Sequence, residues 1–369
     1  MGVKSTFEQV RIAGISSAVG ENSRTIEDDS TLYGNNIKRI NRLKSVLGIH
    51  TRHIADSQTT ALDLAFQASS TLINDMNIDI ATIDGVVFIT QTPDYKMPGN
   101  AYLLHKLLSL NTNCVVLDLT LGCSGFVYGL WLSFMMASST CKRVLLCVGD
   151  TLSKTIYPKD AAQLTIMGDA VSAILVERCE KTDKTNSYFS LSADGNGYEY
   201  LNIPAGGQRL PISEETKREL TDTDGSIRTA ENLTMNGVAV YQFTNDAQPP
   251  LVDEILAYAG IGREDIIYFI FHQANKYMVE NIASKANLPL DKCPTSSFSK
   301  YGNTAGASIP LAISDMAEHF QLTTGKYLLQ GFGVGLSWGA CVLTLDKIYC
   351  HLAVAPLPTV TAIQSATST

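Results

Sequence analysis

Apolar residues along this chain fall into two alternating arrangements. Short unbroken runs, GVVFI at 85–89, VVLDL at 115–119, VLLCV at 144–148, IIYFIF at 266–271 and YLLQ at 327–330, lack the in–out alternation of a half-exposed strand. They predict strands covered on both faces. Between them lie stretches with helical spacing, ALDLAFQASSTLINDM at 61–76 and LVDEILAYAG at 251–260. Two more begin in glycine-bearing turns and run on as apolar helices, GCSGFVYGLWLSFMMASS at 122–139 and GNTAGASIPLAISDMAEHF at 302–320. The order repeats. Each half has a helix-like stretch, a strand, a turn opening into an apolar helix, and a strand ending at Gly149 or Gly331. Each then closes on a glycine turn and a buried strand, MGDAVSAILVE or GLSWGACVLTL. Strands alternating with helices predict an α/β fold with a largely parallel sheet, and the repetition predicts a duplicated unit. The halves are placed at 1–180 and 181–347. The polar, turn-rich stretch 181–232 (DGNGYEY, IPAGGQRLP, TDTDGS) is expected to be a cap or insertion, and 348–369 a loosely ordered tail.

Composition narrows the class without changing this outline. Of 369 residues, 45% are hydrophobic and 17% charged, enough apolar material for a large two-half core. A formal net charge of −8 argues against a surface that grips nucleic acid or an anionic membrane. No apolar run reaches the ~18 residues of a membrane span, and the first residues lack the charged-then-apolar layout of a secretion signal. The eight cysteines form no CxxC and sit mostly in apolar runs. They are expected to be reduced thiols of a cytoplasmic protein, with no disulfide framework and no metal.

Three residues stand out as chemistry. Cys123 lies in Leu-Gly-Cys-Ser-Gly-Phe, between a strand and a long apolar helix. A thiol there meets unpaired N–H groups and the positive end of the helix dipole, which lower a thiol pKa and supply one oxyanion donor. A lone cysteine in a tight turn is otherwise a structural residue, and the other seven are taken as such. His272 ends an apolar strand, where α/β folds place sites, although a buried structural imidazole fits the position equally well. Asn303 opens a glycine-rich turn, where a helix cap is the ordinary role. All three come from corresponding turns of the two halves.

GCSGF around Cys123, HQAN at 272–275, GNTAGAS at 302–308 and GFGVGLSWGA at 331–340, in that order over about 10–345, resemble the β-ketoacyl-acyl-carrier-protein synthase III family. The resemblance implies a thiolase-like fold, with duplicated βαβαβαββ halves in α-β-α-β-α layers. It implies a Cys123–His272–Asn303 triad with oxyanion N–H donors from Cys123 and near Val334. It further implies a carrier-protein contact at Gln273, Lys276 and Lys285, and Met97 reaching into the acyl channel of a homodimer partner. The implied reaction is acyl transfer to Cys123 followed by decarboxylative condensation with a malonyl thioester, on acyl carrier protein or coenzyme A carriers and without a cofactor. Simple acyl transfer to a hydroxyl or amine on the same triad is the alternative. A non-catalytic partner subunit fits less well, because Cys123 is present. Members of the family hold coenzyme A with a Trp and two Arg. Counting from the motifs puts Arg42, Val46 and Ala161 at those positions. The clamp is therefore expected to be largely missing unless Arg42 or Arg209 substitutes, which suggests a carrier-protein donor and a specialised pathway.

Overall fold

The computed structural model describes residues 2–179, 186–222, 225–319 and 321–354. Two sheets dominate it. One has six strands in the order Tyr349–Ala353, Val10–Val19, Ala170–Arg178, Arg143–Asp150, Gly85–Ile89 and Val115–Leu119. The other has five, in the order Val3–Glu8, Asn186–Ala193, Ser337–Leu345, Gly325–Gly333 and Ile266–Phe271.

Burial explains the layering. The helix Gly125–Ser139 is apolar on all sides, so it needs cover all round. With Ser308–Glu318 it lies between the sheets, where Phe126, Leu130 and Phe134 meet Val87 and Leu146 of one sheet and Leu329 and Leu343 of the other. Ala61–Asp75, started by a reciprocal Thr60–Asp63 cap, packs with Asn100–Leu107 on the outer face of the six-stranded sheet. Gly237–Ala259 and Lys276–Lys285 cover the outer face of the other sheet. The result is the five-layered thiolase-like arrangement.

Three expectations are corrected. The sheets are mixed rather than largely parallel, because each half closes on a strand that folds back antiparallel: Ala170–Arg178 against Arg143–Asp150, and Ser337–Leu345 against Gly325–Gly333. Within the expected cap, Asn186–Ala193 is a core strand hydrogen-bonded on both edges. Its inward positions include serines, Ser187 and Ser190, which hide it in a hydropathy pattern. The expected tail contributes Tyr349–Ala353, paired parallel with Val10–Val19. Positions 355–369 of that tail lie outside the described residues. Further along the described part of the cap, Arg228 ties it to the first half, its Nε donating to the buried Asp160 carboxylate at 2.6 Å.

Candidate active site

Cys123 sits in the turn between Val115–Leu119 and Gly125–Ser139, and the Gly125 N–H closes the turn on the Gly122 carbonyl at 2.7 Å. Space requires a glycine at 333, where a Cβ would lie 2.8 Å from the Cys123 Cβ. The end of Gly325–Gly333 thus passes directly over Cys123. A chain of hydroxyls fixes the next residue. The Ser337 hydroxyl donates to the Val334 carbonyl (2.7 Å), so the Ser124 hydroxyl must donate to Ser337 (2.6 Å). This anchors the Val334 peptide beside Cys123, where the second oxyanion N–H was expected.

His272 follows Ile266–Phe271, and its backbone N–H donates to the Gln330 carbonyl at 2.8 Å. The ring packs edge-on against Phe332, with centroids 5.3 Å apart, and Nδ1 lies 2.7 Å from the Ser308 hydroxyl. Asn303 is held through its main chain by the first half. Its N–H donates to the Ile166 carbonyl (2.8 Å), and its carbonyl accepts from the Gly168 N–H (3.0 Å). Its side-chain oxygen accepts from the Ala305 N–H at 3.0 Å, which leaves the amide NH2 as the donor end. Cys123 keeps partial exposure and packs against an apolar cluster that includes Leu152, Ile156, Ile166, Met167, Leu233 and Ala305.

At neutral pH the thiol and the imidazole both rest uncharged. Burial pushes the Cys123 thiol up to about 12, with the Asp150 carboxylate adding to the rise and the residue's own N–H opposing it. This reverses the lowered thiol expected from the helix start, because loss of water around the sulfur outweighs the N–H groups. Burial pulls the His272 imidazole down to about 3. Asp150 has one oxygen held by the Gln91 N–H (2.5 Å) and the Thr90 hydroxyl (2.9 Å) and the other without a partner; burial pushes it up to about 6.

The low His272 value has a measurable consequence. Unfolded histidine titrates near ~6.5, so below that pH the unfolded chain takes up a proton that the folded chain refuses. Folding stability therefore falls as pH falls from about 6.5 toward 3. Urea unfolding of the wild type and of His272→Asn between pH 6 and pH 5 is expected to show the wild type losing about 1.4 kcal/mol per pH unit more than the variant. Parallel pH slopes would mean that His272 is not buried neutral.

Of the other expected site residues, Gln273 is corrected. It is 1% exposed, and its side-chain NH2 donates to the Phe271 and Pro294 carbonyls at 2.8 and 3.1 Å. It braces the strand end and cannot meet a carrier protein. Lys276 and Lys285 are exposed on one helix, whose start is capped by Asn275. Met97 is 84% exposed and stands apart from the Cys123 cluster of its own chain. Arg42, Val46 and Arg209 are exposed. Ala161 lines a cleft of about 510 Å³ with Tyr33, Arg39 and Lys159. Reading along the chain missed Asp150, Ser124, Ser337 and Ser308. Each acts through a contact with a residue distant in sequence, and although Ser124, Ser308 and Ser337 lie in the noted motifs, their hydroxyls were given no role.

Comparison with known proteins identifies the family. Residues 117–195 match the family model described as 3-oxoacyl-[acyl-carrier-protein (ACP)] synthase III, and 256–345 match its C-terminal counterpart. A Campylobacter jejuni protein, provisionally named as a 3-oxoacyl-[acyl-carrier-protein] synthase 3, is 35% identical over 348 residues, covering 94% of this chain and 97% of its own. The chain belongs to the 3-oxoacyl-[acyl-carrier-protein] synthase III family. The β-ketoacyl-[acyl-carrier-protein] synthase III of Rhodopirellula baltica is 32% identical, covering 90% of this chain and 97% of its own. The crystal structure of the Burkholderia xenovorans 3-oxoacyl-(acyl-carrier protein) synthase superposes with a TM-score of 0.88 at 33% identity, covering 95% of this chain and 99% of that one. Synthases of this family are acyl-transferring condensing enzymes. Among the described residues, no group of three or more His, Cys, Asp or Glu is arranged to hold a metal ion, and no helix is long and apolar enough to cross a membrane.

Proposed function

We propose that this protein condenses an acyl group with a malonyl thioester. The Cys123 sulfur attacks the acyl thioester carbonyl, the carrier's pantetheine thiol leaves with the proton, and an acyl-enzyme remains. The malonyl thioester then loses CO2, and its enolate carbon attacks the acyl carbonyl. The 3-oxoacyl thioester leaves, and the expelled Cys123 thiolate takes a proton from water to restore the thiol. The Cys123 and Val334 N–H groups serve the tetrahedral oxyanions. The observation that carries this reading is that both proposed partners of the thiol are neutral donors. Asn303 has its oxygen occupied and its NH2 free, and His272 is held uncharged. Such donors favour a developing enolate oxygen that a carboxylate would repel.

The apolar cluster at Cys123 would take the acyl chain. The strand Val115–Leu119 lies at the edge of its sheet with Val115 and Leu117 exposed. An apolar free edge of this kind favours pairing with a second copy, and Met97 would then reach the partner's channel. Lys276 and Lys285 suit an acidic carrier protein. Around the cleft at Ala161, Lys159 is paired with Glu219 at 2.7 Å and Arg39 lies over the Tyr33 ring at 5.3 Å. Neither is a free counterpart for nucleotide phosphates, which favours a carrier-protein donor over coenzyme A, in a specialised cytoplasmic pathway.

The test presents one acyl group on coenzyme A and on a carrier protein, follows the protein by intact mass spectrometry, and then adds malonyl carrier protein. Expected are an acyl adduct, a higher kcat/KM from the carrier protein, and loss of the adduct with stoichiometric CO2. Loss of the adduct to a hydroxyl or amine acceptor without CO2 would replace condensation by simple acyl transfer. A preference for coenzyme A would overturn the donor assignment alone.

A further inference from the structure

We propose that Ser308 is a positioning residue that fixes the tautomer of His272, so that the ring presents an N–H at Nε2. Ser308 is 1% exposed and is the first residue of the helix Ser308–Glu318, which is packed between the two sheets. Its hydroxyl oxygen accepts from the Gln273 backbone N–H at 3.3 Å and lies 2.7 Å from His272 Nδ1. A hydroxyl has one proton to give. Of its two partners here, the peptide N–H can only donate, so Nδ1 is the group that can accept that proton. Ser308 therefore donates to Nδ1, the lone pair of Nδ1 is consumed, and the ring proton resides on Nε2.

Three features enforce the arrangement. The imidazole is buried and held well below its usual pKa, so it does not carry both protons at neutral pH. The Phe332 ring against its edge opposes rotation. The buried Gln273 side chain, bonded to the Phe271 and Pro294 carbonyls, holds in place the peptide whose N–H engages Ser308. Ser308 thus works through His272 and touches no substrate. Without its hydroxyl, both tautomers become accessible, and the Nδ1–H form would turn a lone pair toward the reacting oxygen.

The kinetic consequence rests on the condensation reading above; the tautomer does not. Protein labelled with 15N-histidine gives ring nitrogen shifts that distinguish Nδ1–H from Nε2–H, with His272 assigned by its loss in His272→Asn. Wild type is expected to show Nε2–H alone. Ser308→Ala is expected to show a mixture. In that variant condensation should fall about tenfold, the weight of one hydrogen bond, while acyl-enzyme formation by mass spectrometry stays within about twofold. Ser308→Cys, which keeps a weak donor, should lie between. Nδ1–H in the wild type overturns the proposal, as does Ser308→Ala retaining pure Nε2–H. If the alanine variant fails to fold, the wild-type tautomer decides. A tautomer as expected in an enzyme that releases no CO2 would leave this assignment standing and remove the condensation.

Discussion

Cys123→Ala is expected to take up no acyl group at all: its intact mass should remain unchanged after incubation with any acyl thioester that acylates the wild type. The effect is all-or-none because none of the other seven cysteines belongs to the apolar cluster around Cys123, and Cys147 and Cys341 are fully buried. The substitution removes one sulfur from a partly exposed position, so the fold should persist and the loss should be chemical. An adduct of unchanged stoichiometry in the variant would move the nucleophile to another residue.

Asn303→Ala should separate the two halves of the reaction. The main-chain bonds to Ile166 and Gly168 survive the substitution, so the loop remains docked on the first half. What disappears is the NH2 donor, together with the acceptor for the buried Ala305 N–H. Acylation by the Cys123 thiol should therefore continue at near the wild-type rate. Condensation should fall by about 10²–10³-fold, or ~3–4 kcal/mol of barrier, as for loss of one oxyanion donor. Asn303→Asp keeps the acceptor for Ala305 but sets a carboxylate toward the enolate, and should be no better. Single-turnover release of product from preformed acyl-enzyme measures this directly. Condensation near the wild-type rate in Asn303→Ala would remove Asn303 from enolate stabilisation.

How far the sequence alone reaches depends on the range of the interaction concerned. The turn at Cys123, the strand end at His272 and the loop at Asn303 are local, and each is written in consecutive residues: Gly-Cys-Ser-Gly, an apolar run halted by histidine, and Gly-Asn-Thr. Their placement was therefore legible, as were the duplicated layers. Asn186–Ala193 was missed because buried serines stand where a hydropathy pattern expects Val or Ile; Ser190 is satisfied by Glu254 at 2.9 Å, 64 positions away. Gln273 was taken for a docking residue because its segment resembles the family's carrier-protein contact, and only the fold shows it bonded inward. The thiol of Cys123 was expected to be acidic because the helix start is visible in sequence, whereas the walls that remove water from the sulfur come from distant segments of both halves, Leu152, Ile166 and Met167 as well as Leu233 and Ala305. Ser308 sits 36 positions from His272, and no linear pattern states that they meet.

The first and last described strands change places between the halves. Val3–Glu8 completes the five-stranded sheet of the second half, and Tyr349–Ala353 completes the six-stranded sheet of the first. The repeat is therefore interlocked. A fragment ending near residue 180 would lack an edge strand of its own sheet and would carry Val3–Glu8 with nothing to pair with, and the complementary fragment would suffer the reverse. Although the halves look like two copies of one unit, neither can be excised, swapped with a relative's, or unfolded alone without opening both sheets. The proposed triad, divided as one residue from the first half and two from the second, would be held to a single geometry by that clasp.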